Sequence, residues 1–232
     1  MAITSIYVVG PSSTGKTTLC GAISKHFLAE SQLQSSRSDG QGVLLYSISE
    51  VARKVMRECQ FTRDDVGTLE MQQAILEAQV KTERDAMTSL TSSDPTKEKV
   101  LLSDRCAIDA LVYTRKLVSE NAYKTLCGTL EFQEALRRYR GERAKGNDGG
   151  HVLFILTLPV SEWLIDDGIR SMKEPEAILE EFRHVLNEME IPFVELGSEI
   201  MELGRRVEWV ISKARPDISM SNGGVSHRHR LR

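Results

Sequence analysis

The segment Gly10-Pro11-Ser12-Ser13-Thr14-Gly15-Lys16-Thr17 carries the residue types and spacing best suited to chemistry in this chain. It completes the pattern Gly-x-x-x-x-Gly-Lys-Ser/Thr, a loop that wraps the phosphates of a nucleoside triphosphate. Gly10 and Gly15 allow backbone angles that turn the loop's N–H groups, those of Ser13 and Thr14 included, toward an anion. A helix starting near Lys16 would add its positive end to the same point. Lys16 then suits the β- and γ-phosphates, the Thr17 hydroxyl suits magnesium, and the Thr18 hydroxyl suits the α-phosphate. The apolar run Ile6-Tyr7-Val8-Val9 before the loop and the helix formers after it supply the strand–loop–helix context such a site needs.

The acidic partner of the metal belongs at the end of a neighbouring strand, where ligands of open α/β sheets collect. Asp104, directly after Val100-Leu101-Leu102-Ser103, meets that condition, and Arg105 beside it could bind substrate or phosphate. The alternative is a helix N-cap at Asp104 with an exposed Arg105. Glu50 lies just past the end of the second predicted strand, with Arg53 one turn later. A carboxylate there could take the proton of an attacking hydroxyl, with Arg53 as a further substrate contact. Equally, Glu50 could be a first-turn glutamate favouring the helix dipole. Arg170, in Asp166-Asp167-Gly168-Ile169-Arg170, could bring a guanidinium over the triphosphate. The basic stretch Arg137 to Lys145 competes with it as a lid, although charge runs are usually solvated faces.

These residues need elements to position them. Helical spacing runs from Thr17 to Glu30, and the polar Ser31 to Gly42 reads as a loop. Val43 to Ile48 is a strand, followed by a helix from about Glu50. Thr68 to Leu90 is a longer helix with a stripe of Leu69, Leu76, Val80, Met87 and Leu90, interrupted by Gln73 and Glu83. Those polar residues either face a ligand cleft or mark a partly exposed stripe. Strand Val100 to Ser103 is followed by helices at Ile108 to Ser119 and Glu131 to Tyr139. Strand His151 to Leu158, helix Pro175 to Met189, strand Phe193 to Leu196 and helix Ile200 to Lys213 complete the domain. Strands alternating with helices predict a parallel sheet covered on both faces, an α/β fold with three α/β/α layers. The expected division is a domain over 1–214 and a disordered basic tail over 215–232, rich in Ser, Gly, His and Arg.

Composition excludes several alternatives. A net charge of -3 offers no electrostatic case for nucleic acid as the main partner. No apolar run approaches the ~18 residues of a membrane-spanning helix, and the N-terminus lacks a basic leader, so the cytoplasm is the expected compartment. Cys20, Cys59, Cys106 and Cys127 are too scattered for a zinc site or a disulfide framework. No Asn-Lys-x-Asp segment follows a strand, which favours ATP over GTP.

The order of motifs resembles the NadR-like family of P-loop domains, whose best-understood members are nicotinamide riboside kinases. The resemblance rests on Gly10 to Thr18, Ser49-Glu50-Val51-Ala52-Arg53, Leu102-Ser103-Asp104-Arg105 with Asp109 and Tyr113, and Asp166 to Arg170. It covers roughly residues 3 to 213 and implies a nucleoside-kinase-like, five-stranded sheet in the order 2-3-1-4-5. It further implies that Glu50 serves as base or substrate ligand and Arg170 as phosphate ligand.

Two functions follow. One is a kinase moving the ATP γ-phosphoryl to a hydroxyl of a small nucleoside-like or riboside acceptor. There Lys16, Glu50, Asp104 and Arg170 act in catalysis, Glu50, Arg53 and Arg105 bind substrate, and Thr17 and Asp104 hold magnesium. The other is a nucleotide-binding regulatory or trafficking module with little or no kinase activity, as the resemblance also implies. An AAA-type motor is disfavoured by the short chain and by the lack of a second-region arginine-finger pattern.

Overall fold

The computed structural model describes residues 2–35, 42–142, 150–160 and 175–215. Five parallel strands form one sheet in the order β2-β3-β1-β4-β5. They are β1 (Ile3–Val9), β2 (Val43–Ile48), β3 (Glu98–Asp104), β4 (Val152–Thr157) and β5 (Phe193–Leu196). The expected architecture and strand order are both present.

Alternation along each inner strand explains the layers. Tyr7 and Val9 of β1, Leu101 of β3, and Phe154 and Leu156 of β4 enter one core, whereas Ile6 and Val8, Val100 and Leu102, and Leu153 and Ile155 enter the other. Both faces are apolar, so both must be covered, and continuous hydrophobic strands of this kind belong inside a sandwich. The first core is closed by α2 (Val51–Glu58), α3 (Leu69–Ser92), α4 (Ala107–Leu117), α5 (Glu120–Cys127), α6 (Leu130–Tyr139) and α7 (Pro175–Glu188). The second is closed by α1 (Lys16–Ser35) and α8 (Leu203–Ala214). Tyr7, Tyr139 and Phe154 form an aromatic triad with ring centroids 4.8–5.3 Å apart, locking α6 to the sheet.

Register places the site. Val8 of β1 pairs with Asp104 of β3, and Val9 pairs with Leu156 of β4. The loop leaving β1 therefore has Asp104 on one side and Thr157 on the other. Arg215 closes the opposite end of the domain, pairing with Glu98 at 2.6 Å and Glu30 at 2.9 Å over the Phe27 ring. Arg215, expected as the first residue of the disordered tail 215–232, is thus packed on the domain; 216–232 lie outside the described residues, as do 143–145 of the basic stretch and the whole Asp166–Arg170 segment.

Several boundaries differ from expectation. Helix α1 runs on to Ser35, through residues read as loop, because nothing in Ser31 to Ser35 breaks a helix. Helix α5 went unpredicted, its eight residues being too few to show a clear period, although Ser119 caps it through a bond from Ala122 N. Helix α8 starts at Leu203 rather than Ile200, since Glu202 caps it by accepting from Gly204 N.

Candidate functional site

Gly10 has φ +135°, and a Cβ on it would lie 2.6 Å from the Thr157 carbonyl oxygen. Gly15 has φ +78°. Both positions thus require the freedom only glycine has, one for backbone angle and contact, the other for backbone angle. Gly10→Ala is expected to destabilise the domain by roughly 2 kcal/mol through strain and clash together. A thermal melt matching the unsubstituted chain would contradict that packing.

The loop is braced by Thr14, whose fully buried hydroxyl donates to Pro11 O (3.0 Å) and contacts Thr157 Oγ1 (2.7 Å). Thr157 Oγ1 in turn bonds Val9 O at 3.1 Å. The Thr14 side chain therefore ties the loop to β4, leaving its backbone as the part facing a phosphate. Lys16 is buried, and its ammonium donates to Pro11 O and, at 3.0 Å, to Thr14 Oγ1. Ser12 Oγ and Tyr113 Oη of α4 lie 3.2 Å apart and fasten the other side of the loop. Thr17 and Thr18 open α1 on its exposed side, and Ser13 is half-buried.

Thr17 Oγ1 donates to Asp104 Oδ2 at 2.6 Å. Asp104 is the last residue of β3 rather than an N-cap; Cys106 caps α4, with Asp109 completing the capping box from the Cys106 N–H. Asp104 Oδ1 is buried without a hydrogen-bond partner among the described residues. A buried carboxylate oxygen left unpaired beside a threonine hydroxyl suits magnesium, which takes few protein oxygens alongside water and phosphate. Among the described residues no group of three or more His, Cys, Asp or Glu could hold a metal ion by itself.

Glu50, Val51, Ala52, Arg53, Gln79, Asp104 and Arg105 line one cleft beside this carboxylate. Glu50 does not sit in the first turn of α2 but precedes it as N-cap, with φ 60° and no side-chain cap bond. That left-handed bend directs the carboxylate to Arg53, 3.0 Å away, with both side chains 41% exposed. Such a pair contributes little to stability, and a substrate can displace it. Arg105 also has positive φ, 77°, and Ser13 has φ 60°. Three of the five described non-glycine residues in this region of backbone space thus ring the site, where strain of about 1–2 kcal/mol each is characteristic of functional positions.

The Arg105 guanidinium is committed to Asp109 at 2.6 Å, and both side chains are mostly buried. Burial pushes the Asp109 carboxyl up from its ordinary range against the downward pull of Arg105 and Lys16. Arg105 itself stays firmly charged: burial opposes this, but Asp109, Tyr113 and Asp104 more than offset it. It faces the cleft as a fixed cation rather than the exposed arginine of the alternative reading.

Sequence reasoning missed Gln79 and Thr157 and misplaced one neighbour. Gln73 is exposed and bonds Glu77, whereas Gln72, Gln79 and Glu83 are the polar residues of α3 turned inward. The signal was there: Gln79 and Glu83 stand one turn apart among Leu76, Val80 and Ala86, and Thr157 ends an otherwise apolar strand.

A family model for the AAA domain matches residues 5–202. No curated protein sequence matches the chain. Among solved structures, a NadR protein in complex with NR is similar with TM-score 0.60 and 19% identity, over 97% of this chain and 54% of that one. A NadR protein in complex with NAD and AMP-PNP is similar with TM-score 0.61 and 16% identity, over 99% of this chain and 52% of that one. The chain spans about half the length of these NadR proteins, and identities this low speak for the fold alone. With the loop, the strand order and the family match agreeing, the chain belongs to the AAA-domain family of P-loop proteins and has the NadR-like fold.

Proposed function

We propose that the protein is an ATP-dependent kinase that transfers the γ-phosphoryl group to a hydroxyl of a small nucleoside- or riboside-like acceptor. The observation that carries this reading is the cleft in which Glu50, Arg53 and Arg105 stand beside Asp104, next to the phosphate loop. A site that only held a triphosphate would have no need of a carboxylate across the cleft.

In this reading the N–H groups of Ser13, Thr14 and Gly15, with Lys16 and Thr18, bind the triphosphate of ATP, and Thr17 and Asp104 would hold magnesium. The ion's chemistry is neutralisation of charge on the phosphates. Arg53 and Arg105 bind the acceptor. Glu50 leaves Arg53 and takes the proton of the acceptor hydroxyl as its oxygen bonds to the γ-phosphorus. The bond from that phosphorus to the β–γ bridging oxygen breaks, ADP departs, and Glu50 returns its proton to water. Arg170, outside the described residues, would add a further cation on the transferring group, the role that the NadR-like resemblance implies for it. The NadR proteins in complex with NR, and with NAD and AMP-PNP, support an acceptor of the riboside class and an adenine nucleotide. Among the described residues no helix is long and apolar enough to cross a membrane.

A screen of nucleosides and ribosides for acceptor-dependent ADP release tests the reading. Glu50→Gln should lower the acceptor-dependent rate about a hundredfold, within the range of one general base, while magnesium-ATP binding measured by calorimetry stays unchanged. ADP release indifferent to every acceptor and to Glu50 would instead favour the regulatory nucleotide-binding module.

A further inference from the structure

Gln79 belongs to the cleft but has no place in the chemistry above. It lies on α3, only 3% exposed, beneath the bend where β3 leads into α4. Its Nε2 donates to Glu83 Oε1 (3.0 Å), Ser103 Oγ (3.3 Å) and Arg105 O (3.2 Å). All three are acceptors here: Ser103 spends its own proton on Arg105 O at 2.6 Å, and the left-handed Arg105 turns its carbonyl back toward α3. An amide reversed in this setting would set its oxygen against the Arg105 carbonyl and a Ser103 oxygen whose proton is already spent, whether or not Glu83 is protonated, so the orientation is determined by its neighbours.

Glu83 is held firmly in turn. It is fully buried, accepts from Tyr139 Oη at 2.8 Å, and has Arg138 at 3.6 Å. Tyr139 Oη also accepts from Ala107 N at 3.1 Å, so the Ser103–Ala107 bend is gripped at both ends by one network. The consequence falls on the other half of the Gln79 amide. With Nε2 committed inward, the group left for the cleft is Oε1, which accepts no hydrogen bond among the described residues.

We propose that Gln79 is the specificity-determining residue of the acceptor site: its Oε1 accepts a hydrogen bond from an O–H or N–H of the acceptor, and Glu83, Ser103 and Arg105 hold it in that orientation. The proposal rests on the kinase reading, since it assigns a contact to that reaction's acceptor. A fixed acceptor oxygen in a nearly closed wall rejects a ligand that lacks the matching donor, because the carbonyl is then left unpaired.

The test uses the full chain with magnesium-ATP and matched acceptors: nicotinamide riboside and the common ribonucleosides, their 2′- and 3′-deoxy forms, and the nicotinamide riboside analogue whose carboxamide is replaced by an acetyl group. The deoxy arms report a sugar hydroxyl, and the acetyl arm reports an amide N–H. For the best acceptor, loss of the group facing Gln79 should lower kcat/KM about tenfold in the unsubstituted enzyme. Gln79→Met, which keeps the length and removes the amide, should handle the matched pair equally well. If its melting curve shows a folding defect, Gln79→Asn draws the oxygen back by one methylene and should lose the same discrimination. Full discrimination retained by a folded variant, or no unsubstituted preference in any arm, overturns the proposal while leaving the kinase intact. Failure of the unsubstituted enzyme to phosphorylate any acceptor would overturn the kinase reading, and the role of Gln79 with it.

Discussion

Lys16→Met is expected to lower the acceptor-dependent rate about 10³-fold, corresponding to roughly 4 kcal/mol of transition-state stabilisation. Methionine is unbranched and matches lysine out to the ε-carbon, so the buried channel along the loop stays filled except at the ammonium while the charge is lost. In the structure the ammonium donates to Pro11 O and Thr14 Oγ1, partners that hold it inside the loop's own curve. Both are neutral and lie within a few residues of Lys16, so a γ-phosphate competes for the ammonium with an attraction neither partner matches. The loop's backbone donors and the α1 N-terminus survive the substitution, so binding should weaken less than turnover. Calorimetry with magnesium-ATP and steady-state ADP release separate the two. A turnover number within tenfold of the unsubstituted enzyme would remove Lys16 from the chemistry.

The second large effect concerns stability rather than rate. Burial lifts the Glu83 carboxyl from an ordinary value of 4.5 to about 7, even though Arg138, Gln79 and Tyr139 all pull it down. Tyr7 of β1, Tyr139 of α6 and Cys106 at the head of α4 face the same group, and its negative charge helps keep all three protonated. Between pH 4.5 and 7 the folded chain keeps a proton that the unfolded chain has lost. Stability from this group is therefore complete below about 4.5 and is lost as pH rises through about 7, a change of roughly 3 kcal/mol. Glu83→Gln removes the titration, and Asp109, also raised by burial, acts alike in both proteins and cancels. The stability of the Gln variant relative to the unsubstituted chain should rise by about three quarters of that amount between pH 5 and pH 8. Denaturant titrations across this range check it, and a flat difference curve would mean that Glu83 does not titrate there.

These two residues also show how differently parts of the site could be read in advance. Lys16 was legible because a phosphate loop is a local object: glycine spacing, a preceding strand and a following helix specify its backbone within ten residues. Asp104 and Glu50 were legible for a related reason, since strand ends in a parallel sheet converge on one edge wherever the strands fall in sequence. Glu83 was noticed only as a polar interruption of an apolar stripe, with Gln73 beside it as an equal candidate. Gln73 and Glu83 stand ten residues apart, a difference of about 80° in helical phase, and the setting of α3 against the sheet sends the first to solvent and the second inward.

By itself, then, the chain determined the layers, through apolar strands that need cover on both faces, and the phosphate loop, through glycines that admit left-handed backbone. It also determined the strand ends at which Glu50 and Asp104 stand. Only the tertiary structure decided that Glu50 precedes its helix and pairs with Arg53, that Arg105 is tied to Asp109, and that Gln79 presents its oxygen to the cleft. The first two join residues three and four apart at the heads of their helices, whereas the third depends on contacts that only the packing of α3 against the end of β3 creates. Such long-range contacts leave no period and no spacing in a sequence: Ser103 and Arg105 lie 24 and 26 residues from Gln79, and Tyr139 lies 56 from Glu83.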